Sequence, residues 1–132
     1  MKIALVIGDA QGNAIRPKLL SIRSNLEIEC YTAVDSLIEA SMKRGFFFDR
    51  IIIMSTMITE RCQSALYSYW INNSNSTDIV LLCRRGTDDF IARSFMQLFR
   101  SNKVVSALVS STTMQLLDDC VSKPITDLQT RY

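Results

Sequence analysis

The sequence contains no histidine. That removes the usual general base near neutral pH, the histidine-centred nucleophile triads and the histidine-rich metal sites. Hydrolytic chemistry would have to run on carboxylates alone. Glycine and proline are scarce, 4 and 2 among 132 residues, which excludes collagen-like and low-complexity chains. No apolar run approaches the roughly 18 residues needed to span a bilayer. The start, Met1-Lys2-Ile3, enters a strand-like run directly, without a signal-peptide cleavage pattern. Charge of one sign is also lacking: 15 Lys and Arg stand against 13 Asp and Glu, a net +2. Nucleic-acid binding needs a concentrated basic face and is not expected. No cysteine pair is close in sequence. Cys30, Cys62, Cys83 and Cys120 read as small apolar residues in a reduced compartment rather than as metal ligands. These absences describe a cytoplasmic globular chain needing no cofactor or metal.

What is present is apolar: 48% of residues are hydrophobic, in a length typical of one domain. Such a chain can bury about two-thirds of its unfolded surface. Residues 2–7 (KIALVI) form a strand apolar on both faces, stopped by Gly8-Asp9. Ile15, Leu19 and Ile22 have helical spacing over 13–24. Pro17 is tolerated only in a first turn, so the regular helix is expected to begin near Arg16. Residues 26–31 alternate as an edge strand does. Residues 34–43 predict a helix stopped by Gly45. Three consecutive isoleucines mark 50–54 as a strand. Thr59 is placed to cap a helix carrying Cys62, Ala65, Leu66 and Tyr69 on one face. Residues 72–77 form a polar loop, and 78–83 (DIVLLC) a further apolar strand.

Thr87-Asp88-Asp89 offers caps for a helix over 89–100. Its Leu98, Ile91, Phe95, Phe99, Ala92 and Met96 cover an arc of about 160°, with Arg93, Gln97 and Arg100 opposite. Residues 104–109 form a fifth strand. Ser111 or Thr112 would cap a last helix carrying Met114, Leu117 and Val121, ended by Lys123-Pro124. Five strand–helix units predict an α/β fold: a three-layer sandwich around a parallel sheet of flavodoxin-like order 2-1-3-4-5. The domain is expected over 1–122, with 123–132 a tail or the start of a linker.

Function in such a sheet sits at the carboxyl ends of the strands. The residues there are Gly8, Asp9, Ala10 and Gln11, then Ser55, Thr56 and Met57, then Arg84, Arg85 and Gly86, then Ser110 and Ser111. A magnesium site normally gathers several carboxylates, and the first strand ends with Asp9 alone. Gly8 to Asn13 matches neither a dinucleotide fingerprint nor a phosphate loop. Arg84-Arg85 could grip an anion or stand solvated. Ser55 and Thr56 have no base nearby to activate them.

The order of elements and these strand ends resemble a response-regulator receiver domain, the CheY-like fold, over residues 1 to about 122. The resemblance implies an acidic pair at Ile7 and Gly8, with Asp9 one place beyond. It puts the phosphorylated aspartate at Met54 or Ser55 and the hydroxyl residue of the fourth strand at Cys83. The lysine of the fifth strand falls within SALVS and is missing. Without these groups no acyl phosphate forms and no metal neutralises the transferring group. The chain therefore resembles a degenerate receiver, or pseudo-receiver, that is no enzyme. Such domains serve dimerisation, docking or localisation. The resemblance extends to the domain at the start of MinD/ParA-like ATPases of pilus assembly and secretion, the TadZ/CpaE type, whose ATPase motifs would lie downstream. Receivers pair through helix 4, strand 5 and helix 5, which makes Phe90, Arg93, Arg100 and Lys103 the expected interface. The apolar arc of the fourth helix serves either such a contact or the sheet beneath it.

A competing resemblance is enzymatic. The stretch from Asp78 to Phe90 is similar to a strand-plus-D-x-D-F segment of NYN/PIN-type nucleases. Asp9, Asp88 and Asp89 would then serve a metal-dependent site, which normally wants about four converging acids.

Overall fold

The computed structural model describes residues 1–22, 25–73, 76–84, 86, 88–109 and 113–128; for 9–13, 22, 108 and 109 it describes the backbone alone. Five strands alternate with helices: β1 (Lys2–Val6), α1 (Asp9–Ile22), β2 (Glu27–Tyr31), α2 (Val34–Arg44), β3 (Arg50–Met54), α3 (Glu60–Asn72), β4 (Asp78–Arg84), α4 (Asp89–Phe99), β5 (Val104–Val109), α5 (Met114–Ser122) and α6 (Ile125–Leu128). A single 3-10 turn, Ser55–Met57, follows β3. All neighbouring strands pair in parallel, in the order β2-β1-β3-β4-β5. This is the expected flavodoxin-like order.

Side chains of a strand alternate between faces, and here both faces are apolar. Ala4, Val6, Ile51, Ile53, Ile79 and Leu81 pack beneath α2, α3 and α4. Ile3, Leu5, Ile52, Val80 and Leu82 pack beneath α1, α5 and α6. The middle strands therefore read as continuous apolar runs. Edge strand β2 buries only Ile28 deeply and exposes Glu27, which explains its alternation. On α4, Ala92, Phe95 and Phe99 are buried against the sheet, while Leu98 at one border of the apolar arc stays 36% exposed.

The caps follow the expected chemistry with two exceptions. Gly45 ends α2 in the left-handed region (φ 74°), and its N–H reaches the Ser41 carbonyl at 3.0 Å. Thr59 Oγ1 accepts from the Cys62 N–H at 3.2 Å. The cap of α5 is Thr113, accepting from the Leu116 N–H at 3.1 Å, rather than Ser111 or Thr112, which lie outside the described residues. Asp88 precedes α4 without capping it, because its carboxylate turns the other way. Arg100 ends α4 at a positive φ of 49°.

Two boundaries differ from the sequence reading. Helix α1 begins at Asp9 and runs through Pro17 rather than starting near it. A proline inside a helix removes one hydrogen bond. The helix is held beyond that point by buried Leu19, and Arg16 Nε donates to the Ile28 carbonyl at 2.8 Å. At the other end, α6 puts Leu128 into the core at 1% exposure, so packed chain continues past residue 122.

Arg50 closes the amino end of the sheet. It is 4% exposed, and its Nη1 donates to the carbonyls of Cys120 (2.7 Å) and Lys123 (2.6 Å). Its Nη2 meets Asp78 Oδ2 at 3.1 Å. One guanidinium thus joins β3, β4 and the end of α5.

Candidate functional site

At the carboxyl ends of the strands, β1 stops at Val6 and the chain turns at Gly8 with φ +98°. L side chains rarely adopt that backbone conformation. A Cβ on Gly8 would lie 3.3 Å from Met57 Cε, so the thioether of the 3-10 turn leans over this end of β1. Met54, the last residue of β3, is half-buried and packs toward α1 and α5. Ser55 follows it and is 1% exposed. Cys83 is fully buried on the α4 face of β4. Burial first, then the charges of Asp88 and Asp89, push its thiol up to about 11.

One carboxylate organises this end. Asp88, 2% exposed, accepts a hydrogen bond from Ser55 Oγ and one from the Arg84 backbone N–H at 2.8 Å. The Arg84 guanidinium adds Nε at 3.1 Å and Nη2 at 3.1 Å. The Arg84 guanidinium, then Ser55, then the Arg84 N–H hold the Asp88 carboxyl far below the usual carboxylate range. The result is a clasp between the end of β3, the end of β4 and the start of α4.

The candidate residues are distributed as follows. Gly8, Ser55 and Cys83 stand at neighbouring strand ends, and Met54 points away from the α4 side. Asp9 is the first residue of α1, its side chain outside the description. Asp89 begins α4 and is exposed. Arg84 is paired with Asp88 rather than free for an anion, and Arg85 lies outside the described residues. Among the described residues no group of three potential metal ligands converges. The sequence reading missed Met57 as a cover for Gly8 and Asp88 as a clasp. The available signal was the spacing Arg84–Asp88, which lets a short loop fold its acid back on the strand end.

The expected interface divides. Phe90 is 76% exposed and lines a groove of about 430 Å³ between α3 and α4, with Ile58, Glu60, Gln63 and Ser94. Met96 lines a separate hollow of about 250 Å³ beside β5. At 100° per residue, Arg93 lies about 60° from Phe90 and about 60° from Met96, between the two. Phe90 therefore lines the α3–α4 groove, while Lys103 is exposed in the turn before β5.

The chain matches solved structures along nearly its whole length. A receiver domain protein from Clostridium thermocellum superposes with a TM-score of 0.67 at 15% identity, over 96% of this chain and 94% of that one. The fold is that of response-regulator receiver domains. A receiver protein from Burkholderia phymatum gives 0.65 at 15% identity, covering 99% and 98% of the two chains. A putative CpaE2 pilus assembly protein from Sinorhizobium meliloti gives 0.56 at 9% identity, covering 92% and 97%. No family model and no curated protein sequence matches the chain. In this chain the ends of β1, β3 and β4 are followed or closed by Ile7 and Gly8, Met54 and Ser55, and Cys83. No helix among the described residues is long and apolar enough to cross a membrane.

Proposed function

We propose that this receiver-fold domain acts by protein–protein contact and carries no phosphoryl-transfer activity. The observation that supports this most is the Ser55–Asp88–Arg84 clasp. The hydroxyl at the end of β3 is engaged by a carboxylate already compensated by arginine, and Met57 covers Gly8. An acyl phosphate needs a carboxylate nucleophile and a metal to neutralise the transferring group. Met54 and Ser55 supply neither. The domain is read as cytoplasmic, without nucleic acid as a partner. Its likeness to the CpaE2 protein favours a place at the start of a larger pilus-assembly or secretion-type ATPase, with self-association or docking as its role.

The test is incubation with acetyl phosphate, or with beryllofluoride, and magnesium while amide spectra are recorded. The expected result is no saturable shift at Gly8, Ser55 or Cys83. A saturable response confined to those strand ends overturns the reading. The nuclease alternative draws no support from the geometry, since Asp88 is enclosed by Ser55 and Arg84.

A further inference from the structure

Phe90 is the most exposed large apolar side chain among the described residues, at 76%. Water contacts most of a ring that stands beside an unfilled hollow. That hollow, about 430 Å³, has half-buried Ile58 and Ile91 in its lining and Glu60 on its α3 side. Ile71 and Leu98, 46% and 36% exposed, are further exposed apolar side chains on the same two helices. Ile71 shares the stripe of α3 that carries Glu60, and Leu98 the stripe of α4 that carries Ser94. On the far side of Phe90 stands Arg93, about 60° round the helix. Glu60 and Arg93 are both exposed, and neither enters an ion pair among the described residues.

The surface thus sets a projecting ring next to an apolar hollow, with an acid beyond the hollow and a base beyond the ring. A surface of this kind is complementary to itself. In a two-fold pairing each residue meets the residue on the opposite side of the axis. The ring of each copy enters the hollow of the other, and Arg93 of each faces Glu60 of the other. An aromatic anchor at the centre of a contact with a polar rim is also how binding energy concentrates in protein interfaces.

We propose that a second copy of this chain docks on the α3–α4 groove, with Phe90 as the anchor and Glu60–Arg93 as the reciprocal charge pair. This rests on the reading of the domain as a protein-contact module and specifies its surface. It moves the contact off the β5 side of α4.

Sedimentation velocity and light scattering over a concentration series reaching millimolar test it on the full chain. A monomer–dimer equilibrium is expected. Phe90→Asp is expected to raise the dissociation constant about thirtyfold or more. Glu60→Arg and Arg93→Glu each weaken the dimer, and the two together restore it. Phe90→Ser serves as a milder second variant, with circular dichroism confirming that each folds. A strict monomer at every concentration overturns the proposal, as does a dimer indifferent to Phe90. A dimer that survives Phe90→Asp but is lost in Arg100→Glu with Lys103→Glu also overturns it, while leaving the protein-contact reading intact.

Discussion

Ser55 donates its hydroxyl to Asp88, 33 residues further along the chain, and so ties the end of β3 to the start of α4. Both groups are buried, and Asp88 keeps the Arg84 N–H and guanidinium as further partners. Asp88→Asn keeps the shape but removes the charge that holds the Arg84 guanidinium. Asp88→Ala strands the Ser55 hydroxyl and the Arg84 N–H.

The alanine variant is expected to lose about 1–3 kcal/mol of stability, the cost of leaving buried hydrogen-bonding groups unmade. Urea unfolding at neutral pH measures it. The pH dependence has a definite sign. The carboxyl of Asp88 is depressed in the folded state. Its contribution is therefore full above the unfolded value of about 3.9 and declines as pH falls below that toward the folded value. The stability gap between the native chain and Asp88→Asn narrows in acid and stays constant from about pH 5 to 8. A gap that widened on acidification would contradict the clasp.

Arg50 is expected to matter for the last helices rather than for the strand ends. Arg50→Ala removes donors from the carbonyls of Cys120 and Lys123 and leaves Asp78 without its pair. A loss of about 3 kcal/mol is expected, since removing one member of a buried pair leaves the rest uncompensated. Hydrogen exchange should quicken most in α5 and α6. Uniform acceleration across the sheet would show that the arginine does not tether them specifically.

The cysteines are all free, and they divide by environment. Burial pushes the Cys120 thiol up to about 12 and Cys83 up to about 11. Thiolate is the reactive form, so both should resist a thiol reagent at neutral pH in the folded chain. Cys30 and Cys62, both half-buried, should react before them. In denaturant all four should react together. Fast labelling of Cys83 in the folded protein would show that the end of β4 opens.

The sheet was legible because strands buried on both faces must be apolar along their length, as residues 3–7, 51–54 and 79–83 are. The start of α1 was not, because residues 9–13 carry no apolar periodicity and Pro17 gives a misleading start signal. The short α6 left a faint signal, Ile125 and Leu128 three apart after Pro124, too brief to outweigh the stop that proline suggests. At the site, the residues that stand at the strand ends could be read one by one. The clasp could not, because Ser55 and Asp88 become neighbours only through the pairing of β3 with β4. The side of α4 that carries Phe90 also depends on packing: a helical wheel gives angles between residues but not which flank faces α3.

The turn at Gly8 bears on whether a phosphate-accepting acid could be installed here by design. An aspartate installed at position 8 would have to accept a φ of +98° and push aside the Met57 methyl. Adding acids one at a time would strain the backbone before any metal could reward the change. Such a design would call for a rebuilt β1–α1 turn, a smaller residue at 57 and a freed β3 end, introduced together.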